Sequence, residues 1–271
     1  MSEQHTRAEL FRSLHTPGSP LVLVNAWDAA SARIVADAGS RAVATTSAGV
    51  AWSLGVSDGD VLGRDAAVDL VGRVAASVSL PVTADIESGY GATTAEVGAT
   101  IRAVIDAGAV GVNIEDARRD AGPSLRDVAD QCGRIGAVRT AADEAGLPLY
   151  VNARIDTFLS GSGGVDETVA RAVAYLAAGA DGIFVPGVVD PATIRALVRA
   201  VPAPLNVLAG PGAPAVEELA RLGVARVSLG SSVAEAAYAV ARRAAEEALR
   251  VGTYGALADA LDYGTLNALM R

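Results

Sequence analysis

Asp85 and Glu87 stand two residues apart at the end of one short β-type run, Glu115 and Asp116 close a second, and Asn152, Arg154 and Asp156 alternate along a third. Side chains two apart on a strand point to the same side, so each set shares a face. Carboxylates brought together in a low-dielectric site repel one another unless a cation neutralises them. A hard divalent ion does this most simply. Mg²⁺, with Mn²⁺ as a substitute, suits oxygen ligands and keeps several waters, whereas zinc favours nitrogen and sulfur. Asp85, Glu87 and Glu115 are therefore the candidate metal carboxylates. The competing structural reading is that such acids cap helices or pair with arginines; for Asp28, which precedes a helix, capping is the expected role. Arg154 is the one cation expected at a strand end in the mouth, where it would meet a substrate carboxylate or a developing oxyanion. A structural ion pair to Asp156 or Glu115 is the alternative. Thr45-Thr46-Ser47-Ala48-Gly49 offers hydroxyls and closely spaced amides, either a carboxylate cradle at Ser47, Ala48 and Gly49 or an ordinary Thr/Ser turn. Asn25 and Asn206 add polar groups at other strand ends, Asn206 as a candidate substrate contact.

Composition removes several other chemistries. All 22 cationic side chains are arginine, which excludes a lysine Schiff base. The two histidines, His5 and His15, precede the first strand and read as a solvated N-terminal segment, away from a triad or zinc site. Cys132 is the only cysteine and reads as a small buried hydrophobe on a helix. A net charge of -9 argues against nucleic acid or an anionic membrane as partner. With no apolar stretch of membrane-spanning length and no leader pattern, a cytoplasmic protein is expected.

The elements that must position these residues are eight short β-rich runs: Leu21–Asn25, Ala42–Ser47, Val82–Glu87, Gly111–Asp116, Leu149–Asp156, Gly182–Pro186, Leu205–Ala209 and Arg226–Gly230. Ala- and Arg-rich stretches of helical period separate them, the pattern of repeated βα units. Gly39, Gly108, Gly179 and Gly223 each stand just before a strand, where glycine can take the left-handed conformation that ends a helix. Pro81, Pro148 and Pro204 mark three other strand entries. The expected fold is α/β, a (β/α)8 TIM barrel in one domain over 1–271, with the barrel at about 20–250. A doubly wound open sheet is the competing architecture. Val233–Leu249 and Tyr254–Leu269 read as two extra C-terminal helices, the last available to a neighbouring subunit.

Several segments, in order, resemble the isocitrate lyase/phosphoenolpyruvate mutase superfamily. They are Asn25-Ala26-Trp27-Asp28, Thr46-Ser47-Ala48-Gly49 followed by Asp58, Ala84-Asp85-Ile86-Glu87-Ser88-Gly89-Tyr90, Gly111-Val112-Asn113-Ile114-Glu115-Asp116 and Asn152-Ala153-Arg154-Ile155-Asp156. The resemblance implies a barrel assembled as a homo-oligomer, dimer or tetramer, with a terminal helix exchanged between subunits. It implies Mg²⁺ held directly at Asp85 and through water at Glu87 and Glu115, with Asp58 nearby. It also implies a substrate carboxylate on Ser47 and the amides of Ala48 and Gly49, Arg154 on the reacting oxygen, and a pyruvate-like enolate. The lyases' Lys-x-Cys-Gly lid motif is absent from Ala117–Ser124, and Pro186-Gly187 stands where those lyases place a glutamate and the mutase a histidine. Arg118 or Arg119 is a stand-in for the lid lysine, or a solvated charge.

The expected activity is Mg²⁺-dependent cleavage of a C–C bond in a small 2-oxo or 2-hydroxy carboxylate, with Arg154, Glu115 and Asp58 as catalytic candidates. One alternative is a phosphonopyruvate/phosphoenolpyruvate-type P–C mutase or hydrolase. Another is a non-catalytic binding protein on the same fold.

Overall fold

A computed structural model describes residues 2–118 and 124–271. Strands β1 (Leu21–Leu23), β2 (Asn25–Ala26), β3 (Val43–Thr45), β4 (Val82–Asp85) and β5 (Gly111–Glu115) run in chain order. A two-stranded antiparallel ribbon, β6 (Ala117–Arg118) with β7 (Ser124–Leu125), interrupts the repeat. Strands β8 (Tyr150–Arg154), β9 (Gly182–Val185), β10 (Leu205–Leu208) and β11 (Arg226–Ser228) complete the sheet. Its pairings are all parallel, in the order β1-β11-β10-β9-β8-β5-β4-β3-β2. Because β1 and β2 are successive halves of one interrupted strand, the two ends of that order meet and the sheet closes as a TIM-type barrel of eight strand positions.

Each of the eight expected runs contains a strand. The four returning glycines all have positive φ, between 92° and 114°. After each of them the chain donates back five residues into the helix, as from Ala109 to Val104 and Ala180 to Tyr175. Absence of a Cβ permits that left-handed residue, and the helix end delivers the chain straight into the next strand.

Helix α1 (Glu3–Ser13) lies at the N-terminal end of the barrel, opposite the strand ends that carry the polar residues. Phe11 is fully buried there, occupying the space a Cβ on Gly111 would need. His15 is also buried, stacked on Tyr150 at a centroid distance of 3.8 Å, with Nδ1 2.8 Å from the Phe11 carbonyl. The expectation of a solvated N-terminal segment is therefore corrected: an open barrel base needs a lid, and the aromatic face of α1 supplies it. His5 is half-buried.

Around the barrel run α2 (Ala29–Asp37), α3 (Ser47–Ser53), α4 (Arg64–Ser77), α5 (Thr94–Asp106), α6 (Val128–Glu144), α7 (Thr157–Ser160), α8 (Val165–Ala177), α9 (Pro191–Ala200) and α10 (Val216–Leu222). Cys132 is half-buried on α6 and packs against the core. Helix α11 (Ser232–Arg250) is different: Ala234 is its one buried residue, and Tyr238, Val240 and Leu249 stand exposed. The expected second terminal helix is broken. Glu247 accepts from the amides of Gly255 and Ala256 and so holds a 3-10 turn at Gly255–Leu257, while Asp262 caps a separate α12 (Tyr263–Leu269).

Candidate active site

The C-terminal ends of the strands surround a cavity of about 200 Å³. Ser47, Ala48, Asp58, Asp85, Asn113 and Arg154 form its polar wall, and Leu159, Phe184, Pro186 and Leu208 the apolar one. Asn25, Ser228, Gly230 and Ser231 also reach it.

Register explains the pairs behind the polar wall. Strands β5 and β8 place Glu115 beside Arg154 and Asn113 beside Asn152. Arg154 Nη1 lies 2.8 Å from Glu115 Oε2, and Asn152 Nδ2 donates to Asn113 Oδ1 at 2.9 Å. Arg154 also grips Asp156 in a fork, Nε to Oδ1 at 2.7 Å and Nη2 to Oδ2 at 2.9 Å. Burial opposes the guanidinium charge, but Glu115 and Asp156 outweigh it and hold the group above its ordinary value. Both the ion pairs and the cavity position are thus present: Arg154 is braced by two acids and still faces the cavity.

Asp85 ends β4, and its Oδ2 accepts from the Ser47 amide at 3.1 Å, at the start of α3. Burial pushes its carboxyl up, while Arg154 and the Ser47 amide act against that shift. Glu87 does not share its face. The strand stops at Asp85 and Glu87 has φ 50°, so strand alternation no longer applies. Its carboxylate turns away to a loop, accepting from the Gly59 amide at 3.0 Å, the Asp60 amide, and Tyr90 Oη at 2.9 Å. Burial raises it to about 7, against the Asp60 and Tyr90 bonds. Asp60, Glu87 and Tyr90 are the non-glycine residues of positive φ among those described, and their clustering concentrates backbone strain beside the cavity.

The three metal candidates are consequently not one ligand cluster. Asp85 faces the cavity, Glu87 serves the 59–60 loop and Glu115 braces Arg154; among the described residues no group of three acids, histidines or cysteines converges closely enough to hold an ion. Asp58 does line the cavity, and its Oδ1 is buried without a partner. Gly49 lies behind the wall, where a Cβ would strike Trp27 and Thr46. Asn206 is buried below it, bonded to Ser228 at 3.2 Å, rather than lining it. Asp28 caps α2 in a reciprocal pair with Ser31. Arg118 lies in β6, and Arg119 is outside the described residues.

Sequence reasoning missed three features. Tyr90 and Asp60 shape the strained loop, which only the tertiary fold brings to Glu87. Arg226 opens the eighth expected strand run, but its entry into the barrel interior and its full burial were not read from the sequence.

An α/β barrel with an arginine and carboxylates at the C-terminal strand ends defines an enzyme-type scaffold. The phosphoenolpyruvate phosphomutase family model matches residues 11–249. Relatives include an uncharacterized protein of Mycobacterium tuberculosis (strain ATCC 25618 / H37Rv), 39% identical over 82% of this chain and 81% of that one. The 2-methylisocitrate lyase of Escherichia coli K12 is 30% identical over 74% and 69%, and the oxaloacetate decarboxylase of Pseudomonas entomophila L48 30% over 92% and 86%. Among solved structures, a lyase/mutase candidate from Burkholderia cenocepacia J2315 superposes with TM-score 0.92 at 42% identity, covering 98% of this chain and 96% of that one. A phosphonopyruvate hydrolase in complex with oxalate and Mg²⁺ gives 0.85 at 25%, over 97% and 94%. The chain belongs to the phosphoenolpyruvate mutase/isocitrate lyase superfamily.

Proposed function

We propose that this protein is a Mg²⁺-dependent lyase that cleaves a C–C bond of a small 2-oxo or 2-hydroxy carboxylate through a pyruvate-like enolate. The observation that carries this reading is Arg154, braced by Glu115 and Asp156, facing the same cavity as Asp85. The donor set fits a hard cation held by few protein groups. Asp85 is a desolvated carboxylate that no described arginine contacts directly. Glu87, engaged with the 59–60 loop, and Glu115, engaged with Arg154, are set further back and would reach the ion only through water. When bound, Mg²⁺ supplies Lewis-acid stabilisation of negative charge on the substrate oxygen.

The chain's own residues account for the remaining roles. Ser47 and the first-turn amides of α3 at Ala48 and Gly49, which have no intrahelical acceptors, receive the substrate carboxylate. Arg154 faces the oxygen on which charge develops; its fixed fork needs no reorganisation as that charge grows. Asp58 offers an unpartnered carboxylate oxygen for a substrate hydroxyl proton. Leu159, Phe184, Pro186 and Leu208 exclude water from the departing half.

That apolar wall also separates substrates. A phosphoryl dianion or the distal carboxylates of a tricarboxylate would lie against it without a side-chain cation, since Arg154 is the only one lining the cavity among the described residues. An oxaloacetate-like or 4-hydroxy-2-oxo acid fits better than methylisocitrate. Parallel assays with and without chelator test this.

The working form is a homo-oligomer. An apolar groove of about 450 Å³ beside β1 and α2, lined by Leu21, Val24, Ile34 and Ala38, ends at Val233, where α11 begins. The uncovered α11 of a second copy has the apolar residues to fill it. No described helix is long and apolar enough to cross a membrane.

A further inference from the structure

Arg226 is the largest fully buried side chain among the described residues, and no acid pairs with it. It begins β11 and points into the barrel beneath the cavity, where Nη2 donates to Asn113 Oδ1 at 3.2 Å and Nε to Ser228 Oγ at 3.3 Å. Nη1 has no partner. Burial pulls the guanidinium down to about 10, opposed by Tyr150 and Asp85, so it remains charged at neutral pH. Burying an unpaired cation is unfavourable, and packing alone would be served as well by a hydrophobic side chain of similar volume. Its two hydrogen-bond partners, Asn113 and Ser228, both line the cavity.

The chemistry of those bonds is directional. A guanidinium has donors and no acceptor, so the atom of Asn113 that faces it must be the carbonyl oxygen. Asn152 Nδ2 donates to that same oxygen at 2.9 Å. Without the arginine, the two asparagines could exchange donor and acceptor by flipping together; with it, one orientation remains. The oxygen of Asn113 is held below and its NH₂ is left for the cavity, beside Asp85 in the strand register.

We propose that Arg226 is a positioning residue for the enolate site: it locks Asn113 with its amide NH₂ directed upward, so that Asn113 donates a hydrogen bond to the bound carboxylate or enolate oxygen. This rests on the reading of the cavity as an enolate site. Asn113 is the group that touches the ligand, and Arg226 acts through it.

Oxalate with Mg²⁺ is the probe, titrated by calorimetry into wild type, Asn113→Asp, Asn113→Leu, Arg226→Met, Arg226→Lys and the Asn113→Leu/Arg226→Met double variant. Asn113→Asp gives Arg226 an ionic partner, so its thermal midpoint is expected to hold or rise. Yet it presents an acceptor in place of a donor, and oxalate should bind at least tenfold more weakly. A purely structural role would not separate those two readouts. Arg226→Met should weaken oxalate similarly, Arg226→Lys should recover most of the loss, and the double variant should bind no worse than Asn113→Leu alone. If Arg226→Met does not fold, Asn113→Asp decides. Folded variants binding oxalate within twofold of wild type, or additive losses in the double variant, overturn the assignment of Arg226 and Asn113 alone. Wild type failing to bind oxalate with Mg²⁺ overturns the enolate-site reading and this assignment together.

Discussion

Arg154 and Asp156, two residues apart, are joined by a planar two-bond fork of 2.7 and 2.9 Å, and the third face of the same guanidinium is held by Glu115 at 2.8 Å. Lysine can supply the charge but not the fork. Arg154→Lys is therefore expected to fold and to lose roughly 10²-fold in kcat, with a smaller change in KM, because the stabilisation concerned arises as charge develops. Steady-state kinetics beside a thermal melt check this; a variant with wild-type kcat would remove Arg154 from the chemistry.

Metal binding should be visible without turnover. Mg²⁺ that binds only the native state raises the melting temperature by mass action, and chelator abolishes the rise. Asp85→Asn keeps an acceptor for the Ser47 amide while discarding a desolvated charge, so the variant should melt at or above the metal-free wild type. Its Mg²⁺-dependent shift and its activity should both vanish. A variant still stabilised by Mg²⁺ would place the ion elsewhere.

His15 makes the barrel base sensitive to acid. Burial first, then the charge of Arg226, lowers it from 6.5 to about 3. Below 6.5 the unfolded chain binds a proton that the native state refuses until about 3, so stability falls as pH drops through this window. By pH 5 the loss should be ~2 kcal/mol. Denaturant titrations of wild type and His15→Phe at pH 7 and pH 5 isolate the term: their stability difference should change in favour of the variant at pH 5. An unchanged difference would show His15 protonating in the native state.

Helix α11 leaves Tyr238 and Val240 exposed beside an apolar groove. Introducing glutamate at both positions should convert a dimer or tetramer into a smaller species by light scattering, since a charge buried in an apolar seat is unfavourable. A wild type that is monomeric at micromolar concentration would remove the proposed assembly.

The barrel was legible in the sequence because its signals are local and repeated. Apolar runs of strand length and left-handed glycines at four helix exits need no tertiary information. Arg154 and Asp85 were legible for the same reason, as polar residues closing apolar strands. The orientation of Glu87 was not, because it depends on where β4 stops and on amides at Gly59 and Asp60, distant in sequence. Arg226 and His15 were hidden more deeply. Each is a single polar residue whose burial depends on neighbours from other strands and from α1, and no periodicity marks it.

The most direct measurement is kcat/KM on an oxaloacetate-like acid and on methylisocitrate in parallel, with Mg²⁺ and after chelation. Cleavage that leaves its electrons in an enolate needs no dedicated acid on the far side, where the cavity presents Leu159, Phe184 and Pro186. The oxaloacetate-like substrate should be favoured by at least roughly tenfold, about 1.4 kcal/mol in barrier, and turnover should disappear with chelator. Preference for methylisocitrate would contradict the substrate assignment and require a proton donor on the far side that the apolar wall does not supply, and undiminished turnover by metal-free protein would contradict Mg²⁺-dependent chemistry at this site.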